Sequence, residues 1–157
     1  MEGMTLEALT QAGAFCAIGL AAFGSALGCG AAGAAAVGAW KRCYAQNRPA
    51  PFQLAVFAGA PLSQTIYGMI LMFLISGKIA DAAAAWPVYL VIGVIGGIAM
   101  GASAWKQGVA GAGACDAFAE TGQGFTNYLM ALGIIETVAI FVMAFAIVLL
   151  AGIGGGA

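Results

Sequence analysis

The chain contains no histidine, and its 157 residues carry only five basic and six acidic side chains. Without imidazole, and with four cysteines (Cys16, Cys29, Cys43, Cys115) that nowhere form a CxxC pair, the usual ligand set of a zinc or redox centre is missing. Cys16 and Cys29 fall inside apolar stretches, where a cysteine serves as a small packing residue. A net charge of -1 provides no basic footprint, which excludes nucleic acid as a partner. The opening MEGMTLEALTQ has Glu2 and Glu7 where a secretory leader carries basic residues, so the first apolar stretch is expected to stay in the mature protein. What is present is apolar: 63% of residues are hydrophobic and the mean hydropathy is +1.02. A composition of that kind belongs to an integral membrane protein.

Hydropathy divides the sequence into four spans, 11–40, 53–77, 88–115 and 125–150, each long enough to cross a bilayer as a tilted helix. Helices are expected, because open strands leave backbone groups unsatisfied in lipid. The connections KRCYAQNRPAP, GKIADAAAAWP and AETGQG hold most of the charge and make two hairpins, 11–77 and 86–151. The first connection carries Lys41, Arg42 and Arg48 against an acidic amino-terminal tail. The positive-inside rule therefore places it in the cytoplasm and both termini outside, in a multi-pass cell-membrane protein, with Lys78 running mildly against that assignment.

The two halves repeat. Gly97, Gly101 and Gly111 follow Gly24, Gly28 and Gly38 by 73 residues, while Gly133 and Ile140 follow Gly59 and Ile66 by 74, which predicts a one-residue difference in the connection. Small residues at helical spacing let transmembrane backbones approach closely. A glycine-lined odd helix beside a bulkier even helix is a wedge suited to a ring, although a compact four-helix monomer would use the same residues. Gly28, Gly30 and Gly33 also spell G-x-G-x-x-G, but no strand precedes them and no acid follows about 20 residues on, so they read as a packing surface.

Polar side chains deep in the spans are few. Glu136 lies near the middle of the last span, where a carboxylate costs a few kcal/mol even on lenient insertion scales and marks function. Folding the chain at its connections brings Gln107 opposite Glu136 and Gln64 opposite Gln107, so three spans place these side chains at one depth. Ser63, Thr65 and Tyr67 add hydroxyls, and Pro61 removes a backbone donor and frees the Phe57 carbonyl. In the repeat, Leu62 occupies the position of Glu136. Oxygen-rich chemistry suits a hard cation or a proton. One carboxylate, two amides and a hydroxyl favour a monovalent cation, Na+ above all, whereas a proton needs only Glu136 and a partner such as Tyr67. Lys106 complicates this reading: its stem can snorkel away, but a pairing with Glu136 would weaken it.

The glycine-rich first span, PLSQTIYGMILMFLI, KQGVAGAGA and GIIETVAIF together resemble the membrane-ring proteolipid (the c or K subunit) of V-type rotary ATPases, closest to its bacterial sodium-translocating members. The resemblance covers nearly the whole chain. It implies an all-α protein whose duplicated hairpins assemble into a homo-oligomeric ring in lipid. Partners would be a static ion-channel subunit and, on the cytoplasmic side, central-stalk subunits. It also implies that Glu136 carries the ion, with Ser63, Gln64 and Gln107 as side-chain ligands, the Ala60 carbonyl as a further ligand, and Tyr67 hydrogen-bonded to the carboxylate. Ser63 stands where the sodium-type members have threonine. Such a protein is the non-catalytic, ion-translocating part of an ATP-driven pump and needs no nucleotide or organic cofactor. A rival expectation is a small four-helix antiporter, for which the Ile134, Ile135, Thr137 and Val138 flanks of Glu136 lack an aromatic cavity. A simple pore has no need of a central carboxylate with matched amides.

Overall fold

The computed structural model describes residues 2–79 and 82–153, and within them all regular structure is helical: α1 (Glu2–Ala45), α2 (Leu54–Gly59), a 3₁₀ turn (Ala60–Leu62), α3 (Ser63–Ser76), α4 (Ala82–Thr121) and α5 (Phe125–Gly152). Helix α2, the turn and α3 form one span, so four helical segments in this part of the chain are long and apolar enough to cross a membrane. Helices pair their backbone groups within each segment, as hydrocarbon demands, with Pro61 and Pro87 as the interruptions.

Helices α1 and α4 extend past the expected spans. Lys41 and Arg42, expected in a connection, form the last turns of α1, and Asp116 and Glu120 are likewise helical in α4. The stretch from Lys41 to Ala45 contains no glycine or proline to stop the helix, and its charges are met outside the apolar layer, where Arg42 pairs with Asp116. The first connection then turns tightly. Asn47 takes a left-handed conformation (φ 52°), the Arg48 N–H donates to the Cys43 carbonyl at 2.9 Å, and the Trp40 indole N–H donates to the Pro51 carbonyl at 2.7 Å. Between α4 and α5, Gly122 and Gly124 have φ of 66° and 85°, a region that L side chains enter only with strain. The link is therefore shorter than AETGQG.

Three glycine–glycine contacts decide the packing. Helices α1 and α4 run parallel and touch backbone to backbone. A Cβ added at Gly24 would lie 2.0 Å from the Gly101 carbonyl oxygen, one at Gly93 1.8 Å from the Gly13 oxygen, and one at Gly108 2.1 Å from the Gly28 Cα. These partners are 77 to 80 residues apart. Several glycine spacings coexist in so glycine-rich a pair, and only contact selects among them.

Helices α3 and α5 lie on the other side of this seam and expose large apolar side chains such as Phe73, Phe141 and Phe145. The two covalent hairpins do not form separate cores. One apolar cluster joins Ala14, Ala17 and Leu71 to Tyr89, Met100 and Ala139; the other joins Ala36, Leu54 and Phe57 to Cys115, Phe118 and Leu132. Phe57 meets Phe125 at 5.3 Å and Tyr128 at 6.1 Å between ring centroids, which fixes where α5 starts relative to α2.

If this seam holds the helices together, Gly108→Ala should destabilise the detergent-solubilised protein by about 1–3 kcal/mol through overpacking. Gly133→Ala, whose added methyl would meet nothing within 4 Å, should not. Thermal melts of the two variants compare them directly, and equal losses would refute the seam.

Candidate functional site

Pro61 sets up the site. It occupies the 3₁₀ turn that interrupts the second span, and its ring lies where a Cβ on Gly28 would approach to 2.9 Å, so the glycine of α1 makes room for the bend. The turn ends at Leu62 and α3 begins with Ser63 and Gln64, one half-buried and one fully buried. The Ala60 carbonyl accepts the Ser63 N–H and, at 3.1 Å, the Ser63 hydroxyl.

From there a chain of hydrogen bonds crosses three spans. The Ser63 hydroxyl lies 3.2 Å from Gln64 Oε1, Gln64 Nε2 donates to Gln107 Oε1 at 2.9 Å, and Gln107 Nε2 donates to Glu136 Oε2 at 3.2 Å and to the Leu132 carbonyl at 3.0 Å. Tyr67 Oη donates to Glu136 Oε1 at 2.7 Å. Both carboxylate oxygens of Glu136 are thus held, by a phenol from α3 and an amide from α4. Gln64 and Gln107 are completely buried, whereas Glu136 is half-buried on the flank that α5 turns outward. Each of the six residues expected at the site, Ala60, Ser63, Gln64, Tyr67, Gln107 and Glu136, has a place in this network; Thr65 has none among the described hydrogen bonds.

A buried amide without partners costs about 1–3 kcal/mol, so the network is stable only when complete. The structure completes it with a residue that sequence reading overlooked. Ser103, one turn before Gln107 on the same face of α4, donates to the Ile135 carbonyl at 2.9 Å and fixes the backbone beside Glu136. Its i, i+4 relation to Gln107 was the available signal. Thr137, adjacent to the carboxylate, turns its hydroxyl back to the Ile134 carbonyl at 2.5 Å.

Lys106 stays out. Its side chain is exposed and its ammonium sits 5.3 Å from the centroid of the Trp105 ring, on a different face of α4 from Gln107. Adjacent helical positions diverge by about 100°, which separates the two side chains. A lysine at the centre of a transmembrane helix costs about 2.5–3.5 kcal/mol on insertion scales. The contact with indole offsets about 0.5–2 of that.

Chemically, the arrangement groups one carboxylate, two amide oxygens, a hydroxyl and a backbone carbonyl in one layer, flanked by apolar helices. These features define a multi-pass helical membrane protein built around a single mid-span carboxylate. Residues 90–149, which include Gln107 and Glu136, match the family of ATP synthase C subunits. The chain is also 32% identical over 149 residues to the A-type ATP synthase subunit K of Methanocaldococcus jannaschii, an alignment that covers 94% of this chain and 64% of that protein. Both matches liken the chain to the c/K proteolipids of rotary ATPases, and it spans less than two thirds of the length of the relative it matches.

Gln107→Leu should leave the Gln64 amide unpaired and take a donor from Glu136 Oε2, at a cost on the order of 1–3 kcal/mol for a buried group orphaned. The expected outcome is a markedly lower melting midpoint than that of the exposed control Gln123→Leu. Coincident midpoints would show that the amide chain does not hold the spans together.

Proposed function

We propose that this proteolipid is a rotor-ring component that carries a monovalent cation on Glu136, with Na+ as the favoured cargo. The observation that supports it best is the Ser63–Gln64–Gln107–Glu136 chain, which gathers oxygen donors from three spans beside a carboxylate facing outward. Ser63, Gln64 and Gln107 would supply side-chain oxygens and Ala60 its carbonyl, while Tyr67 would orient the carboxylate. To take the ion, the Gln64 and Gln107 amides exchange their mutual hydrogen bond for ion contacts.

The driving logic is electrostatic. Carboxylate plus monovalent cation is neutral and crosses lipid, whereas an empty carboxylate is a bare charge confined to a polar interface. Copies of the chain arranged in a ring, α3 and α5 outward, would present Glu136 in turn to a static channel protein and turn ion flow into rotation. At about 2.3 kcal/mol per charge per 100 mV, several ions accompany each ATP. The charged end formed by Arg42, Arg48 and Asp116 would face the cytoplasmic central stalk, with both termini outside. ATP chemistry would take place on other subunits.

The second reading, a proton as cargo, draws on one specific feature: Gln64 Nε2 already engages the Gln107 oxygen that a cation would use. Labelling with a carbodiimide separates the two. Glu136 should be the labelled residue, and added Na+ should slow labelling at a pH where protons compete weakly. Absence of sodium protection would transfer the assignment to the proton. Glu136→Gln should abolish transport in reconstituted vesicles while leaving assembly unchanged, and a variant that still transports would overturn the role of Glu136. Tyr67→Phe should retain transport at reduced apparent ion affinity, by about tenfold for one hydrogen bond to a charged group.

A further inference from the structure

Ser25, near the middle of α1, is 3% exposed, and its hydroxyl oxygen is buried with no hydrogen-bond partner among the described residues. Native structures leave few such groups unpaired, and each one calls for an explanation. Close contacts between α1 and the second span fix what lies opposite it. A Cβ added at Gly68 would lie 2.8 Å from the Ala21 Cβ, and one at Gly28 would lie 2.9 Å from the Pro61 Cβ. One at Gly111 would meet the Phe57 carbonyl at 2.8 Å and the Ala32 Cβ at 3.2 Å, so Phe57 and Ala32 stand together one turn further on. The two spans are therefore antiparallel in a single register. Ser25 is one turn from both Ala21 and Gly28, and Gln64 is one turn from both Gly68 and Pro61. That register sets Ser25 opposite Gln64, and both are buried.

Gln64 has a donor to spare. Its Nε2 carries two N–H groups, of which one donates to Gln107 Oε1 and the other has no acceptor among the described hydrogen bonds. Binding a cation releases the first as well, because Gln64 and Gln107 cannot both turn their oxygens to an ion while Gln64 Nε2 stays on Gln107 Oε1. A buried amide donor set free in this way weakens binding unless another acceptor takes it. Neighbouring polar groups are already in use: the Leu132 carbonyl accepts from Gln107 Nε2, Glu136 accepts from Tyr67 and Gln107, and the Ser103 hydroxyl is committed to the Ile135 carbonyl. The Ser25 oxygen is not.

We infer that Ser25 is a positioning residue of the ion site: with the cation bound, its hydroxyl oxygen accepts the Gln64 Nε2 N–H released from Gln107 and so holds the Gln64 oxygen toward the ion. Ser25 does not touch the ion itself. It acts from a fourth span, so α1 contributes to ion affinity as well as to packing. While Gln64 Nε2 remains on Gln107 the hydroxyl has nothing to accept, which accounts for its missing partner. The inference rests on the cation reading of the site, since a proton on Glu136 requires no movement of Gln64.

The test uses the full-length protein in mild detergent and two readouts: the Na+ concentration that halves carbodiimide labelling of Glu136, and the melting midpoint with and without Na+. Ser25→Ala should raise the half-protecting concentration about tenfold, the scale of one buried hydrogen bond lost. Its midpoint without Na+ should equal or exceed that of the wild type, because the substitution removes a polar group that has no partner there. At a fixed Na+ concentration the rise in midpoint should shrink, as weaker binding of the folded state requires. A serine needed only for packing would lower both midpoints and leave the half-protecting concentration unchanged. Ser25→Cys, close to serine in size and a poor acceptor, should behave as Ser25→Ala does, and it serves as the test if the alanine variant does not fold. With the wild type protected by Na+, an unchanged half-protecting concentration in these variants, or a lower midpoint without Na+, overturns the role of Ser25 and leaves the cation reading standing. A wild type that Na+ does not protect overturns both.

Discussion

The backbone contact between α1 and α4 governs the geometry of everything else. Two helices with side chains at their interface stay about 8–10 Å apart. Here a methyl group at Gly24, Gly93 or Gly108 would already collide with the facing main chain, so the register between the two helices has little freedom. Because α1 also packs against α3 through Ala17, Ala21 and Gly68, the same helix sets the heights of both α3 and α4. The position of Gln64 relative to Gln107 follows from that double contact. In lipid, where apolar side chains gain little by leaving one another for solvent, close fit of this kind carries association that hydrophobic burial carries in water.

On that frame, three polar residues hold one another. Gln64 and Gln107 are wholly buried and neither has water to fall back on, so each depends on the other and on Glu136. The low polarity around them strengthens each hydrogen bond and raises the cost of losing one, which makes the network behave as a unit. Glu136 differs from the amides in being half-buried at an outer flank. A carboxylate placed there is reachable from outside the bundle while its inner side stays anchored by Tyr67 and Gln107. Leu62 stands 74 residues before Glu136, so only one of the two helical pairs carries a mid-span carboxylate. That asymmetry is built into the covalent chain.

The opposite face of the seam follows different chemistry. Lys106 and Gln107 are neighbours in sequence, yet one completes the buried chain and the other lies exposed over Trp105. A single residue step on a helix thus separates an exposed cation from an amide that reaches a carboxylate. The glycines serve both faces. By removing side chains from the seam they bring α4 close enough for Gln107 to reach across, and they leave a shallow floor between Phe23 and Trp105 on the far side.

The sequence alone determined the number of spans, their helical nature and the presence of a lone acid among amides, because hydropathy, backbone satisfaction in lipid and the cost of a buried charge are all local properties of the chain. It also constrained depth, since a helix rises by a fixed amount per residue and a hairpin folds at its turn. That is why Gln107 could be set opposite Glu136 by counting. Counting could not say which glycines of α1 and α4 would touch, because several spacings put glycine on glycine and only the contact of facing backbones selects among them. Nor could it assign Ser103 to the Ile135 carbonyl, place the last turns of α1 beyond Trp40, or turn Lys106 away from Glu136. Those outcomes depend on which helix faces lie against one another, a relation between distant parts of the chain that exists only once the spans have packed.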